Sequence, residues 1–272
     1  GYVTGNLTVS AATLTITAAP KSKVYGTTLV LDGLAPSTDF SVAGLLNSDT
    51  VTNVTLASAG TVATATVAGS PFVITPSLAL GTGLGNYTIG YVTGNLTVSA
   101  ATLTITATGP SKTYGTALTA GPSGANFTHV GEIDGETVTS VTLTPDAAGL
   151  SATTAAGAGY VVTPALATGT GGFLESNYQV TYVAFNGTVA DKALTITAAN
   201  RSKTYGATVT FDMTTPSTDF TVAGLLPGDT VDSITLSSAG AVGTATVLGS
   251  PYAITLSAAV GTGLGNYTIG YV

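Results

Sequence analysis

The amino-acid sequence predicts an all-β fold: a tandem array of small two-layer β domains, each a β-sandwich or β-grasp-like unit, joined end to end as a rod. Three observations predict it. Long stretches of the sequence recur, short segments alternate apolar and polar residues, and glycine-rich turn signals separate those segments at short intervals. No segment keeps a period of 3.6 residues over several turns, so the sequence predicts no long helix.

The recurrence is literal over long stretches. Residues 1–18 return without change at 90–107, and residues 81–92 return at 261–272. A Lys-x-Tyr-Gly signature and an Asn-Tyr signature each occur three times. The signature residues are Lys23, Tyr25 and Gly26 with Asn86 and Tyr87; Lys112, Tyr114 and Gly115 with Asn177 and Tyr178; and Lys203, Tyr205 and Gly206 with Asn266 and Tyr267. We interpret them as structural signatures of one repeating unit.

These signatures divide the chain into three repeats. The predicted boundaries are 1–12 for the closing strand of a preceding repeat plus a linker, 13–101 for repeat 1, 102–192 for repeat 2, and 193–272 for repeat 3, which lacks its final strand segment. Repeats 1 and 3 are near copies, whereas repeat 2 differs at 131–137 and 172–176. The phase of these boundaries indicates a piece of a longer protein.

The strands of each repeat are short and rich in β-branched residues. The predicted strands are Asn6–Val9; Leu14–Thr17, Val51–Leu56, Phe72–Thr75 and Tyr87–Val92; Leu103–Thr106, Val138–Leu143, Tyr160–Thr163 and Tyr178–Val183; and Leu194–Thr197, Val231–Leu236, Tyr252–Thr255 and Tyr267–Val272. A single helical turn is predicted at Ala43–Leu46 and at Ala223–Leu226. The three-residue join Ser10–Ala12 leaves little freedom, so the first and last strands of a repeat should run side by side in the same direction.

Composition excludes several classes of function. The chain has no cysteine and one histidine, so metal and thiol sites lack ligands. It has 6 Lys and Arg residues against 13 Asp and Glu residues, which disfavours nucleic-acid binding. No run of about 20 apolar residues is present, so we expect no membrane span. A base confined to one repeat, His129, does not suit a repeated catalytic unit, and we expect neither an enzyme nor a bound cofactor.

The order of the motifs resembles that of a known family. The repeats open with LTIT, continue with K-x-Y-G and G-L-L-x-x-D-T, and close with N-Y-x-I-x-Y-V-x-G-x-L-T-V. This pattern resembles the MBG ("mostly beta glycine-rich") domains of the Y-G type, which occur in tandem in large bacterial surface proteins and haemagglutinin-like adhesins. The resemblance implies an exported, extracellular array domain with no enzymatic activity and no defined ligand.

Two chemical alternatives remain open for the signatures. The tyrosines Tyr25, Tyr114 and Tyr205 are either packed side chains with buried hydroxyl partners or a platform for carbohydrate, since aromatic faces bind sugars. The sets Lys23/Asp49/Asn86, Lys112/Glu136/Asn177 and Lys203/Asp229/Asn266 have the residue types of an intramolecular isopeptide bond. We expect no crosslink, but an exposed lysine and a turn-capping asparagine. The acids are too widely spaced for a calcium loop.

The sequence therefore predicts a structural stalk or spacer of a bacterial adhesin at the cell surface. The alternatives are a subunit of a self-assembling extracellular filament or sheath, and a glycan-binding repeat module. The expected partners are further copies of the repeat, in the same chain or head to tail, and a host or surface glycan or protein bound through a region outside this chain. Residues 1–9 match the strand at 90–98 that closes repeat 1. We therefore expect head-to-tail contact, in which residues 1–9 of one copy occupy the place that follows Val272 of another, either by strand donation between chains or because the sequence is a window on a continuous array.

Overall fold

Short strands account for most of the regular structure. The computed structural model describes residues 1–133 and 135–272; Asp134, in the segment where repeat 2 diverges, lies outside the described residues. The strands are β1 (Ala12–Ala18), β2 (Lys21–Val24), β3 (Phe40–Ala43), β4 (Thr50–Ala57), β5 (Phe72–Thr82), β6 (Tyr87–Val92), β7 (Gly94–Ser99), β8 (Ala101–Ala107), β9 (Gly121–Ser123), β10 (Phe127–Val130), β11 (Thr137–Pro145), β12 (Gly159–Thr170), β13 (Tyr178–Val183), β14 (Phe185–Thr188), β15 (Lys192–Ala198), β16 (Phe220–Ala223), β17 (Ser233–Ser237), β18 (Thr255–Val260) and β19 (Tyr267–Tyr271). The helical elements are α1 (Ala147–Leu150) and 3₁₀ turns at Ala59–Thr61, Leu84–Asn86, Glu175–Asn177, Ala239–Ala241, Val247–Gly249 and Leu264–Asn266.

The chain gathers into two compact units. Unit 1 comprises Gly1–Ile105, Thr128–Val141 and Leu166–Tyr182, and unit 2 comprises Thr106–Phe127, Thr142–Ala165 and Val183–Val272. Both consist of small sheets, which confirms the all-β prediction. The boundaries of the three repeats stay a prediction from the sequence.

In unit 1, the first sheet of repeat 1 has the strand order β3-β1-β6. Strands β1 and β6 are parallel, with Leu14 opposite Ile89, which confirms the expected common direction of the first and last strands. Leu14 and Ile16 alternate with threonines along β1, and their side chains are fully buried against Phe40 and Val54. The alternation of apolar and polar residues in LTIT thus places one face of the strand in the core.

The second sheet of repeat 1 has the order β2-β7-β5-β4. Strand β7 lies in its interior, parallel to β2 and antiparallel to β5. Its residues Leu96 and Val98 are buried, and Leu96 packs with Ala18 and Ile74. The closing strand β7 is therefore an interior strand of this sheet, and its side chains form part of the core of repeat 1.

Repeat 2 contributes one three-stranded sheet, ordered β10-β8-β13, and one four-stranded sheet, ordered β14-β12-β11-β9. In unit 2, repeat 3 has a three-stranded sheet ordered β16-β15-β19 and the two-stranded pair β17-β18. Strands β15 and β19 are parallel, with Leu194 opposite Ile269. Repeat 3 thus reproduces the first sheet of repeat 1, in the same register.

Three local predictions differ from the structure. The predicted strand Asn6–Val9 does not form, and residues 1–11 are all exposed, because no strand pairs with them. In place of the predicted strand Tyr252–Thr255, β18 begins only at Thr255. The equivalent residues of repeat 1, Phe72–Ile74, pair with β7, and no strand pairs with residues 252–254 of repeat 3. The predicted helical turns are wrong. The chain leaves strands β3 and β16 through Gly44 and Gly224, whose φ angles of 103° and 108° end the extended conformation without starting a helix.

Candidate functional site: a joint between consecutive repeats

The signature residues lie at two ends of each repeat, which we name the head and the tail. Each head has an aliphatic residue, an acid and the Asn-Tyr pair. The heads are Leu46, Asp49, Asn86 and Tyr87; Ile133, Glu136, Asn177 and Tyr178; and Leu226, Asp229, Asn266 and Tyr267. Each tail has the Tyr-Gly pair and one loop residue. The tails are Tyr25, Gly26 and Val67; Tyr114, Gly115 and Ala156; and Tyr205, Gly206 and Val247.

Within a head, the tyrosine hydroxyl organises the loop that carries the acid. Tyr87 Oη accepts a hydrogen bond from the backbone N–H of Leu46 at 2.8 Å and donates one to Asp49 Oδ2 at 2.8 Å. In repeat 3, Tyr267 Oη makes the same two bonds at 2.9 and 2.6 Å, with Leu226 and Asp229. The head is therefore a preformed loop that presents a carboxylate and an aliphatic side chain.

In unit 1, the head of repeat 2 contacts the tail of repeat 1. Tyr25 Oη donates a hydrogen bond of 2.5 Å to Glu136 Oε1, and the second carboxylate oxygen accepts one from Tyr178 Oη. The rings of Tyr25 and Tyr178 pack edge to face, with centroids 5.7 Å apart. The backbone N–H of Val67 donates to Asn177 Oδ1 at 3.0 Å. The Tyr-Gly signature of one repeat thus meets the Asn-Tyr signature of the next.

In unit 2, the head of repeat 3 contacts the tail of repeat 2 in the same way. Tyr114 Oη donates to Asp229 Oδ2 at 3.0 Å, and the rings of Tyr114 and Tyr267 pack edge to face at 5.5 Å. The backbone N–H of Ala156 donates to Asn266 Oδ1 at 2.9 Å. We name this arrangement the joint; its central feature is one carboxylate shared by two tyrosines from consecutive repeats.

Two features of a joint require the glycine of the Tyr-Gly signature: its backbone conformation and its close contact with the next head. Gly26 and Gly115 have φ angles of 83° and 87°, which L side chains rarely adopt. A Cβ atom at either position would also lie 2.4 Å from a methyl carbon of the next head, Ile133 Cδ1 or Leu226 Cδ1. Any side chain at Gly26 or Gly115 would therefore require the aliphatic side chain of the next head to move.

The surroundings of the tyrosines in a joint raise their pKa. Burial, followed by the hydrogen bond and charge of Glu136, raises the pKa of Tyr25 to about 12. Burial and then Glu136 also raise the pKa of Tyr178. In the second joint, the hydrogen bond to Asp229, followed by burial, raises the pKa of Tyr114. Protonated hydroxyls at neutral pH are what a shared carboxylate needs, because each must donate.

The lysine of the Lys-x-Tyr-Gly signature stabilises the tail through hydrogen bonds to backbone carbonyl groups of its own repeat. Lys112 is 2% exposed, and its ammonium donates to the carbonyl oxygens of Ala148, Gly149 and Ser151. Lys23 donates to the carbonyl oxygens of Thr27 and Val62. The expected exposed lysine is therefore wrong for these two positions, where burial lowers the lysine pKa.

Among the residues that the structure describes, the tail of repeat 3 and the head of repeat 1 have no other repeat docked on them. Tyr205 is 69% exposed, whereas Tyr25 and Tyr114 are 4% and 8% exposed. Gly206 has a φ of 91°, but a Cβ there would meet no atom within 4 Å. At the other end, Asn86 and Leu46 are exposed, while Asn177 is buried. Burial of the tyrosine of the Tyr-Gly signature and of Asn177 thus goes with the joint, whereas Tyr87 is buried within its own repeat.

The structure separates residues that the sequence grouped, and groups residues that it separated. In the isopeptide set of repeat 1, Lys23 binds carbonyl oxygens of the tail, whereas Asp49 binds Tyr87 in the head. The acids of the joint, Glu136 and Asp229, belong by sequence to the crosslink sets of their own repeats, and the structure places them in contacts between repeats. In all three repeats the acid follows an aliphatic residue by three positions, and this recurrence is the signal in the sequence that marks the acids as part of a repeated contact.

Three other features of the described residues concern metal-binding groups, the single histidine and membrane-spanning helices. No group of three or more His, Asp or Glu side chains among them is arranged to hold a metal ion. His129 pairs with Glu132, its neighbour three residues along the chain. No helix among residues 1–133 and 135–272 is long and apolar enough to cross a membrane.

Comparison with known proteins identifies the repeats. The family model described as "MBG domain (YGX type)" matches residues 14–97 and 194–272, which correspond to most of repeats 1 and 3. No curated protein and no solved structure matches the chain. MBG domains are typical of repeat regions in extracellular surface proteins. With well over half of its residues matched and the Tyr-Gly pair at the centre of its joints, the chain belongs to the MBG domain (YGX type) family.

Proposed function

We propose that this chain is a structural repeat region of a secreted bacterial cell-surface protein and acts as the stalk or spacer of an adhesin. The observation that carries the proposal is the joint, which occurs once in each unit with matching geometry. A shared carboxylate, an edge-to-face tyrosine pair and a backbone-to-asparagine bond restrain the orientation of one repeat on the next. A spacer needs such restraint, because a flexible chain does not hold a binding region at a fixed distance.

The composition suits the same role. The charged fraction is 7%, and the polar surface is made of hydroxyl and amide groups, so little of it depends on salt or on pH near neutrality. We propose no catalytic role for the chain. A glycan-binding role is less well supported, since the rings of Tyr25 and Tyr114 are buried in joints where no sugar can stack without opening them.

The proposal is tested by measuring whether the joint fixes the geometry of unit 1. The chain has no cysteine, so spin labels can be attached at Thr55→Cys and Thr139→Cys, both at exposed strand positions. We expect a narrow distance distribution by pulsed electron resonance, in samples diluted with unlabelled protein. Glu136→Ala should broaden it, because both tyrosines lose their acceptor.

The matched control is Asp49→Ala, which removes the equivalent carboxylate from a head with no docked repeat. It should leave the distribution between residues 55 and 139 unchanged. A broad distribution in the unmodified joint, or equal broadening by both substitutions, would contradict a spacer function.

A further inference from the structure

We propose that repeat 1 is a mechanical clamp: it resists tension along the chain because its first and last strands are loaded in shear. We name residues 12–24 the entry segment, which contains β1 and β2, and residues 87–99 the exit segment, which contains β6 and β7. All of these residues belong to unit 1. The clamp deepens the spacer function and rests on it, because a spacer that joins two attachment points carries tension.

The entry and exit segments run side by side in the same direction. Their paired residues begin with Ala12 opposite Tyr87 in the first sheet and end with Val24 opposite Ser99 in the second sheet. In both sheets every pair joins residues that are 75 positions apart. A single parallel register therefore continues through both sheets, although each segment passes from one sheet to the other along its length.

This pairing determines how tension acts on the repeat. Along the chain, tension enters beside Ala11, before β1, and leaves beside Ala100, after β7. In parallel segments these two points lie at opposite ends, so tension pulls the segments lengthwise past each other and loads their hydrogen bonds together. If the segments were antiparallel, the two points would lie at the same end, and the bonds would break one after another.

Both terminal strands are also interior strands of their sheets. Strand β1 lies between β3 and β6, and β7 lies between β2 and β5. Leu14, Ile16 and Leu96, which these strands place in the core, are fully buried. Because side chains alternate between the two faces, a strand must slide by two residues, about 7 Å, before its apolar side chains face the core again. Movement of either strand therefore breaks bonds on both of its sides at once.

Hydrogen bonds fix the end of the exit segment to the tail of the same repeat. The backbone N–H of Tyr25 donates to the carbonyl oxygen of Ser99 at 2.8 Å. Ser99 Oγ donates to the carbonyl oxygen of Lys23 at 3.1 Å. The point where tension leaves the repeat is thus bonded to the Lys-x-Tyr-Gly signature, which gives this signature a role within the repeat as well as in the joint.

Repeat 3 has the same arrangement in its first sheet. Strands β15 and β19 are parallel, and their paired residues are again 75 positions apart, from Lys192 opposite Tyr267 to Ile196 opposite Tyr271. Strand β15 is the interior strand, between β16 and β19. The parallel register is therefore a property of the repeated fold, and not of one local sequence.

The test is to stretch single molecules of the 272-residue protein from two introduced cysteines, since the chain has none of its own. The pair Ala11→Cys and Ala100→Cys applies tension in the natural direction. The control pair, Ala11→Cys and Gly85→Cys, pulls the adjacent starting ends of β1 and β6 apart, so the strands separate pair by pair. A Cβ atom at Gly85 meets no atom within 4 Å.

We expect the natural direction to require roughly twice the unfolding force of the control, or more, at equal pulling speed, because forced unfolding follows the height of the unfolding barrier. Release of about 300 Å by the 89 residues between positions 11 and 100 identifies the unfolding of repeat 1.

A third pair, Ala11→Cys and Thr93→Cys, shears β1 against β6 without pulling β7 from its sheet, and it keeps the test decisive if Ala100→Cys does not fold. It should also unfold at a higher force than the control. Equal forces for the control and for either shear pair would overturn the clamp. The distance distribution across the joint is measured without tension, so the clamp and the spacer function can fail separately.

Discussion

At Glu136 and at Asp229, one carboxylate accepts hydrogen bonds from two tyrosine hydroxyls that belong to consecutive repeats. Hydrogen bonds to a charged acceptor each stabilise a protein by about 1.5–3 kcal/mol, and an unpaired buried donor costs a comparable amount. Tyr25 and Tyr178 depend on the same acid, so they should respond together when it is neutralised or removed. The two joints differ in the acid, Glu in one and Asp in the other, yet they keep the same donors.

The pKa of Tyr25 gives a residue-scale prediction. Its value of about 12 in the folded protein exceeds the ordinary value of 10.0, so the unfolded chain releases this proton first as the pH rises. The stability that protonated Tyr25 contributes is therefore complete below pH 10 and is lost as the pH rises from 10 towards 12. Glu136→Gln should shift part of the tyrosine titration to lower pH, because the charge disappears while the burial remains.

The measurement is the ultraviolet absorbance of tyrosinate across this pH range, with Asp49→Asn as the control that leaves both joints intact. We expect the titration of the Glu136→Gln variant to move further than that of the control. Identical titrations of Glu136→Gln and the unmodified protein would show that Glu136 does not contact these hydroxyls.

At the scale of elements, the sequence predicted most strands because each alternates apolar and polar residues over a short span. Strand β6 matches its predicted bounds, and β1 extends its predicted core by two residues at its start and one at its end. The predicted strands that fail, Asn6–Val9 and Tyr252–Thr255, have normal strand patterns. They fail because a strand needs a neighbour, and the pattern of one segment does not say whether its neighbour is present.

The tight contact at the Tyr-Gly turn gives an element-scale prediction. Gly26→Ala should destabilise unit 1 by about 2–4 kcal/mol, through a strained φ angle and a clash with Ile133. Gly206→Ala has the same positive φ but open space around it, so it should cost only about 1 kcal/mol.

Urea unfolding followed by tyrosine fluorescence measures the difference between the two glycine variants. The excess cost at Gly26 reports the contact with the next repeat, since the backbone strain is common to both. Equal costs would mean that Ile133 does not rest on the turn.

At the scale of the whole molecule, the sequence predicted the family and the all-β class and marked the Tyr-Gly and Asn-Tyr signatures, but it did not predict the joint that they form. Exact repetition shows that Tyr25 and Tyr114 occupy equivalent positions. It does not show whether Tyr25 contacts the Asn-Tyr pair of its own repeat, at 86–87, or that of the next, at 177–178. That choice depends on which end of a repeat each signature occupies, and only the strand order of the folded repeat determines it.

The central claim is that the signatures of consecutive repeats form a joint, and hydrogen exchange tests it at three equivalent positions. The amides of Val67 and Ala156 donate to asparagines of the following repeat, whereas Val247 occupies the same position in repeat 3 and is exposed. Nuclear magnetic resonance of the unmodified protein gives their exchange rates. We predict protected amides at Val67 and Ala156, faster exchange at Val247, and loss of protection at Val67 in Glu136→Ala; equally fast exchange at all three positions would contradict the joint.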